Sequence, residues 1–111
     1  MKEGDILLTP VPQADGQVKN RPTLFLRILP RFGDALVCGI STQLQQYVPD
    51  FDELISQQDT DFSNSGLVAD SLIRLGFLAV IPNNRLIGSI GKISDERHRR
   101  LLTKLSNYLI G

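Results

Sequence analysis

A chain of 111 residues with 41% hydrophobic and 22% charged side chains is long enough for one compact core and too short for two, and its residue mix is that of an ordinary soluble domain. Lysine plus arginine and aspartate plus glutamate number 12 each, so no global charge draws the chain to nucleic acid or a membrane surface, and any polyanion site has to be local. A single cysteine, Cys38, excludes an internal disulfide and a cysteine metal cluster; with neither a basic-then-apolar leader nor a run of about 18 apolar residues, a cytoplasmic location away from membranes is expected.

Gly4-Asp5 introduces Ile6-Leu7-Leu8, a short apolar run stopped by Pro10 and Pro12, and predicts a buried strand. A loop holding the turn pair Asp15-Gly16 then extends to about Asn20. Pro22 lacks a backbone donor, which suits the first residue of a strand, and residues 23–29 form a β-rich segment with Arg21 at its mouth. Pro30 stops that segment and Gly33-Asp34 turns the chain. Residues 35–40 return with Leu36, Cys38 and Ile40 on one face, so the two segments are expected to pair as a hairpin.

Residues 43–69 are rich in Gln, Asp and Ser and read as a long connection with one short strand. Residues 71–75 regain strand character, residues 77–81 fit a strand or a short helical turn, and Asn83-Asn84 is a turn before residues 85–93. Ser94 is an N-cap, followed by Asp95 and Glu96 where the helix dipole favours negative charge. The helix is expected to reach about Leu109, with Leu101, Leu102, Leu105, Tyr108 and Leu109 on its apolar stripe and Arg99, Arg100, Thr103, Lys104 and Asn107 facing water. The sum is a mainly β fold, a small SH3-like barrel of five to seven short, mostly antiparallel strands with a C-terminal helix, in a single domain over residues 1–111.

Charge is unevenly placed although it cancels. Residues 50–70 contain only acids, whereas from Ser71 onward Arg74, Arg85, Lys92, Arg97, Arg99, Arg100 and Lys104 outnumber Asp95 and Glu96. Arg97, Arg99, Arg100 and Lys104 are expected to solvate the outside of the helix, while Arg74 stands within a strand. Arg21 before one strand and Ser41-Thr42 after the next bring a guanidinium and two hydroxyls to adjacent strand ends, a phosphate site that needs no metal, and point toward RNA. His98, on the apolar helix stripe, is expected to pack or to serve the helix end, and Cys38 to lie in the core. The acids from Asp50 to Asp61 lack a histidine and regular ligand spacing, so no metal site is expected.

Gly4-Asp5-Ile6, the turn near Gly16, Arg21-Pro22, Ser41-Thr42, Phe62-Ser63-Asn64-Ser65-Gly66-Leu67, Ser71-Leu72-Ile73-Arg74 and Gly91-Lys92-Ile93-Ser94 follow one another in an order that resembles a MazF/PemK-type toxin over nearly the whole chain. That resemblance implies a homodimeric, metal-independent and cofactor-free endoribonuclease that cuts single-stranded mRNA by 2′-hydroxyl attack to give a 2′,3′-cyclic phosphate. It also implies a cognate antitoxin in the RNA groove, with operator DNA met only through the antitoxin. On the family pattern Arg21, Ser41, Thr42 and Arg74 are the catalytic positions, and Lys19, Gln43 and Ser71 are the expected RNA contacts around them. Gly76 stands where the PemK branch carries an aspartate proposed as the base, the loop histidine of some members has no counterpart between residues 10 and 20, and Gly39 stands where many relatives have proline. Two alternatives stay open: an inactive toxin-like module that binds antitoxin or nucleic acid, and an SH3-like peptide adaptor. With no Trp and two Tyr, the adaptor lacks the material for an aromatic groove.

Overall fold

Successive β-rich segments form one antiparallel sheet of six strands: β1 (Asp5–Pro12), β2 (Val18–Leu29), β3 (Asp34–Ser41), β4 (Glu53–Ile55), β5 (Ser71–Ile81) and β6 (Gly88–Lys92). They lie in the order β4-β5-β3-β2-β1-β6, with a short helix α1 (Phe62–Ser65) and a long helix α2 (Asp95–Ile110). The structure, a computed structural model, describes residues 1–12 and 14–111; Gln13, in the expected loop of residues 10–20, lies outside them. Register shifts between Ile6 and Leu7 against β6, between Phe25 and Arg27 against β3, and between Cys38 and Gly39 against β5 curl the sheet into a half-barrel, because a bulge bends its strand.

The expected hairpin of β2 and β3 is present, with Leu29 opposite Asp34 and Thr23 opposite Gly39. The expected loop of residues 10–20 is shorter than the prolines suggested, since β1 and β2 stay paired out to Pro12 opposite Val18. Beyond Leu8, β1 has no β6 partner, so a proline there can turn its missing donor to the unpaired side. Pro22 is likewise inside β2 and not at its start, next to Thr23, where pairing with β3 ends. Residues 77–81 are strand, and they continue β5 past the bulge opposite Cys38 and Gly39.

Both faces of the curled sheet carry buried side chains. Ile6, Leu24, Leu26, Ile40, Ile73 and Leu75 pack with Leu101 and Leu105 of α2, while Leu7, Phe25, Ala35 and Val37 form a smaller cluster. A run such as Leu24-Phe25-Leu26 is thus apolar without alternation because both of its faces are covered. Cys38 is in the core, where burial pushes its thiol up to about 12. Ser94 Oγ accepts from the Arg97 backbone N–H at 3.1 Å, the expected cap. The helix stripe ends earlier than its periodicity implied: Tyr108 and Leu109 are each 69% exposed, and Tyr108 meets the Phe51 ring at 4.9 Å between centroids. His98 packs under Gly4 and donates from Nε2 to Leu26 O at 2.8 Å.

Three of the four cations expected to solvate α2 do otherwise. The Arg97 side chain is 9% exposed and places its five N–H donors on five acceptors: Nε on Asp61 Oδ2 at 2.8 Å, Nη1 on Glu53 Oε1 at 2.9 Å and Leu54 O at 3.1 Å, and Nη2 on Asp59 Oδ2 at 3.0 Å and Asp61 Oδ1 at 3.2 Å. Arg100 grips Glu53 through Nε at 2.8 Å and Nη2 at 2.9 Å, and Lys104 Nζ lies 3.2 Å from Glu53 Oε2. The acidic connection is therefore folded onto α2 by charge. Burial opposes the ionisation of Glu53, but hydrogen bonds from Arg100 and Lys104 outweigh it and hold the carboxyl below its ordinary value. At Asp61 burial is outweighed by the Arg97 side chain and the Ser94 N–H, with the same direction.

Replacing Arg97 by Met leaves buried Asp61 without its cation, while Glu53 keeps Arg100 and Lys104, and is expected to cost about 3–5 kcal/mol of stability. Both carboxyls are depressed in the folded state, so their contribution is complete above the unfolded values and fades as pH falls through the folded ones, that is, from about pH 4 downward. Denaturant melts of both proteins at neutral pH and below pH 4 check this. The gap between wild type and Arg97→Met should narrow in acid.

Candidate active site

A cleft of about 360 Å³ lies between β2, β3, β5 and the chain leading into β5. Its polar lining comprises Arg21, Thr23, Ser41, Thr42, Gln43, Ser71 and Arg74, so six of the seven sequence-predicted site residues meet in one place. Lys19 does not line it; it is exposed two positions along β2 from Arg21, on the same face by the period of two.

Each position follows from strand geometry. Arg21 is opposite Thr9 on β1, whose Oγ1 shares its one proton between the Arg21 carbonyl at 3.4 Å and Thr23 Oγ1 at 3.3 Å. Arg74 is opposite Gly39 and Leu72 opposite Ser41 on the adjoining ladder, so the central strand β3 separates the two arginines while presenting its own hydroxyl end between them. Arg74 is half-buried and makes no ion pair among the described residues. A guanidinium held in a cleft without a carboxylate is a standing attraction for an anion.

The hydroxyls differ in what they have left to give. Ser41 Oγ accepts from the Gln43 N–H at 3.0 Å, a turn-stabilising bond that leaves its own proton to donate into the cleft. Thr42 is exposed at the rim. Ser71 is buried and donates to Ala69 O at 2.8 Å, so its proton shapes the wall. Gln43 Oε1 accepts from Gln45 Nε2 at 2.8 Å, which leaves the Gln43 amide N–H₂ as the donor it can offer.

Two lining features escaped the sequence reading. Residues 67–69 form a wall on which Val68 is 92% exposed, and Phe77 supplies an aromatic ring. The wall exists because α1 is pressed onto β6. Gly66 closes α1 in the left-handed conformation, at φ +75°, and a Cβ there would lie 2.1 Å from Ile90 O; a Cβ at Gly91 would lie 2.3 Å from Ser65 C. Only two facing glycines permit that approach. Both stand in the motifs singled out from the sequence, but nothing local showed that they face each other.

Among the described residues, no aspartate, glutamate or histidine lines the cleft. Gly76, at the position where an aspartate was of interest, is not a lining residue, and a Cβ built on it would meet Phe51 Cε2 at 3.8 Å. The acids of residues 50–61 serve elsewhere: Asp52 accepts from the N–H groups of Val48 and Leu75, and Glu53, Asp59 and Asp61 hold Arg97. The site's chemistry is that of cations, hydroxyls and apolar surface.

The fold is similar to that of the Mycobacterium tuberculosis toxin MazF-mt6, with a TM-score of 0.67 at 20% sequence identity over 95% of each chain. The family model for PemK-like, MazF-like toxins of type II toxin-antitoxin systems matches residues 2–109, and the chain belongs to that family. No curated protein sequence matches it.

Substituting Gly66 by Ala combines an unfavourable φ with a direct overlap on Ile90 O and is expected to lower stability by about 1–3 kcal/mol. Thermal melts check it. Because the wall of residues 67–69 begins at Gly66, protease cleavage within that wall should rise in the same variant.

Proposed function

We propose that this toxin-family protein is a metal-independent endoribonuclease acting on single-stranded RNA, and that Arg21, Arg74, Ser41 and Thr42 carry the reaction. The observation that supports it is the convergence of two guanidiniums and two hydroxyls on one cleft without a carboxylate. In the proposed step the substrate's 2′-oxygen forms a bond to the adjacent phosphorus and the P–O5′ bond breaks, leaving a 2′,3′-cyclic phosphate and a 5′-hydroxyl. The 2′-hydroxyl proton leaves to water and the departing 5′-oxygen takes one from water, since no lining group titrates in the range of a carboxylate or imidazole. Arg21 and Arg74 neutralise the non-bridging oxygens as negative charge builds on the phosphorane, through parallel N–H donors. Ser41 donates its free proton to a phosphate oxygen, Thr42 and the Gln43 amide hold the flanking nucleotide, and exposed Lys19 attracts the strand along β2.

The chain works, on this reading, in the cytoplasm as a homodimer and is silenced by a cognate antitoxin laid in the same cleft. An acidic antitoxin segment complements two arginines as well as RNA phosphate does. One observation favours a second reading, a module that binds RNA or antitoxin without cutting: the missing acid-base pair removes a factor of about 10² to 10⁴ in rate that such groups usually supply.

Purified protein incubated with long single-stranded RNA in EDTA separates the two. Cleavage leaving cyclic-phosphate ends is the expected result, and Arg21→Ala and Arg74→Ala should each slow it by about 10²- to 10³-fold with the fold intact. The rate should show no inflection in the range of a carboxylate or imidazole. A folded Arg21→Ala protein cutting at the wild-type rate would count against the assignment.

A further inference from the structure

The bulge in β5 does more than curl the sheet. Cys38 is opposite Leu78 whereas the next residue, Gly39, is opposite Arg74, so residues 75–77 have no partner on β3. Leu75 of this group is in the core, and Phe77 is turned into the cleft beside Arg74. The ring lies on Gly39: a Cβ built there would come within 3.0 Å of Phe77 Cδ1, 3.2 Å of Cγ and 3.4 Å of Cβ. Gly39 is thus the floor on which the ring rests. Phe77 nonetheless remains 43% exposed, so the side of the ring away from Gly39 is open to solvent.

An aromatic ring supported on one side, open on the other, and set next to a guanidinium without a carboxylate partner is the arrangement that receives an unpaired base together with its phosphate. Among the described residues no other aromatic lines the cleft, which leaves too little ring surface for a proline-rich peptide and enough for one base. We infer that Phe77 is a base-stacking platform: backed by Gly39, it holds one nucleobase of a single-stranded RNA on its open face, so that the attached phosphate falls on Arg74. Because every base has a π-face, the platform positions the strand and does not read its sequence. The inference rests on the reading of the cleft as an RNA site.

The test uses the intact protein and a short, fluorescein-labelled 2′-O-methyl RNA of randomised sequence, which binds but has no 2′-hydroxyl to attack. Affinity is measured by anisotropy over a series of salt concentrations for wild type, Phe77→Leu, Gly39→Ala and Arg74→Ala. Phe77→Leu keeps the apolar contact on Gly39 and removes the aromatic face, and it is expected to bind about 5- to 150-fold more weakly with an unchanged slope of log affinity against log salt. Gly39→Ala, which displaces the ring without touching it chemically, should weaken binding in the same way. Arg74→Ala should instead reduce the slope by about 0.7, the value of one single-strand phosphate contact. If wild type binds and Arg74→Ala alters the slope while both Phe77→Leu and Gly39→Ala bind as wild type, the stacking inference is overturned and the RNA reading stands. If those two variants keep RNA affinity but lose self-association in sedimentation, the ring belongs to a protein contact, which also overturns it. Failure of the wild type to bind removes the RNA reading and this inference together.

Discussion

Arg97 meets five acceptors with five donors beneath the surface of the molecule, and most of what surrounds the cleft is arranged by that one satisfied charge. The acceptors come from β4 and from the connection after it, which Ile55, Phe62 and Leu67 also anchor to the core. By gathering Glu53, Asp59 and Asp61 against α2, the guanidinium fixes the start of the path that runs through α1 to the wall of residues 67–69. Glu53 is shared with Arg100 and Lys104, so the network has more than one cation on its most buried carboxylate. A buried ion pair with every donor satisfied is weak evidence for stability compared with an apolar replacement. It is strong evidence for a defined geometry in that stretch.

The same arrangement decides which charges are left for a ligand. The chain is neutral overall, and the fold separates its cations into those used internally and those facing the cleft. Arg97, Arg100 and Lys104 are used on the acidic connection, whereas Arg74 has no acid beside it among the described residues. The central strand β3, with β2 on one side and β5 on the other, is what sets Arg21 and Arg74 across from each other with Ser41 at its end. A neutral protein can in this way keep a local anion site without a general affinity for polyanions.

What could be read from the residues was what they determine locally. Ile6-Leu7-Leu8, the turn at Gly33-Asp34 and the cap at Ser94 declare strand, hairpin and helix start by pattern alone, and the order of short motifs was enough to gather Arg21, Ser41, Thr42 and Arg74. Arg97 was misread because its partners lie 36 to 44 residues away, and a helical arginine among charged neighbours looks solvated. Phe77 was invisible as a cleft residue because its direction depends on a bulge that exists only when β5 is paired with β3. Tyr108 and Leu109 satisfied the helical period, but the sheet beneath them had ended. The prolines at 10, 12 and 22 exaggerated the loop since their cost depends on whether the neighbouring edge is occupied, which is a tertiary fact.

The claim on which the account stands is that single-stranded RNA lies between Arg21 and Arg74. Amide chemical shifts of the labelled protein, followed during titration with an uncleavable RNA, test it directly. The account predicts shifts at Arg21, Ser41, Thr42, Arg74 and residues 67–69, with little change elsewhere. Shifts confined to the groove between α2 and β2, at Arg27, His98, Arg99 and Asn107, would contradict it.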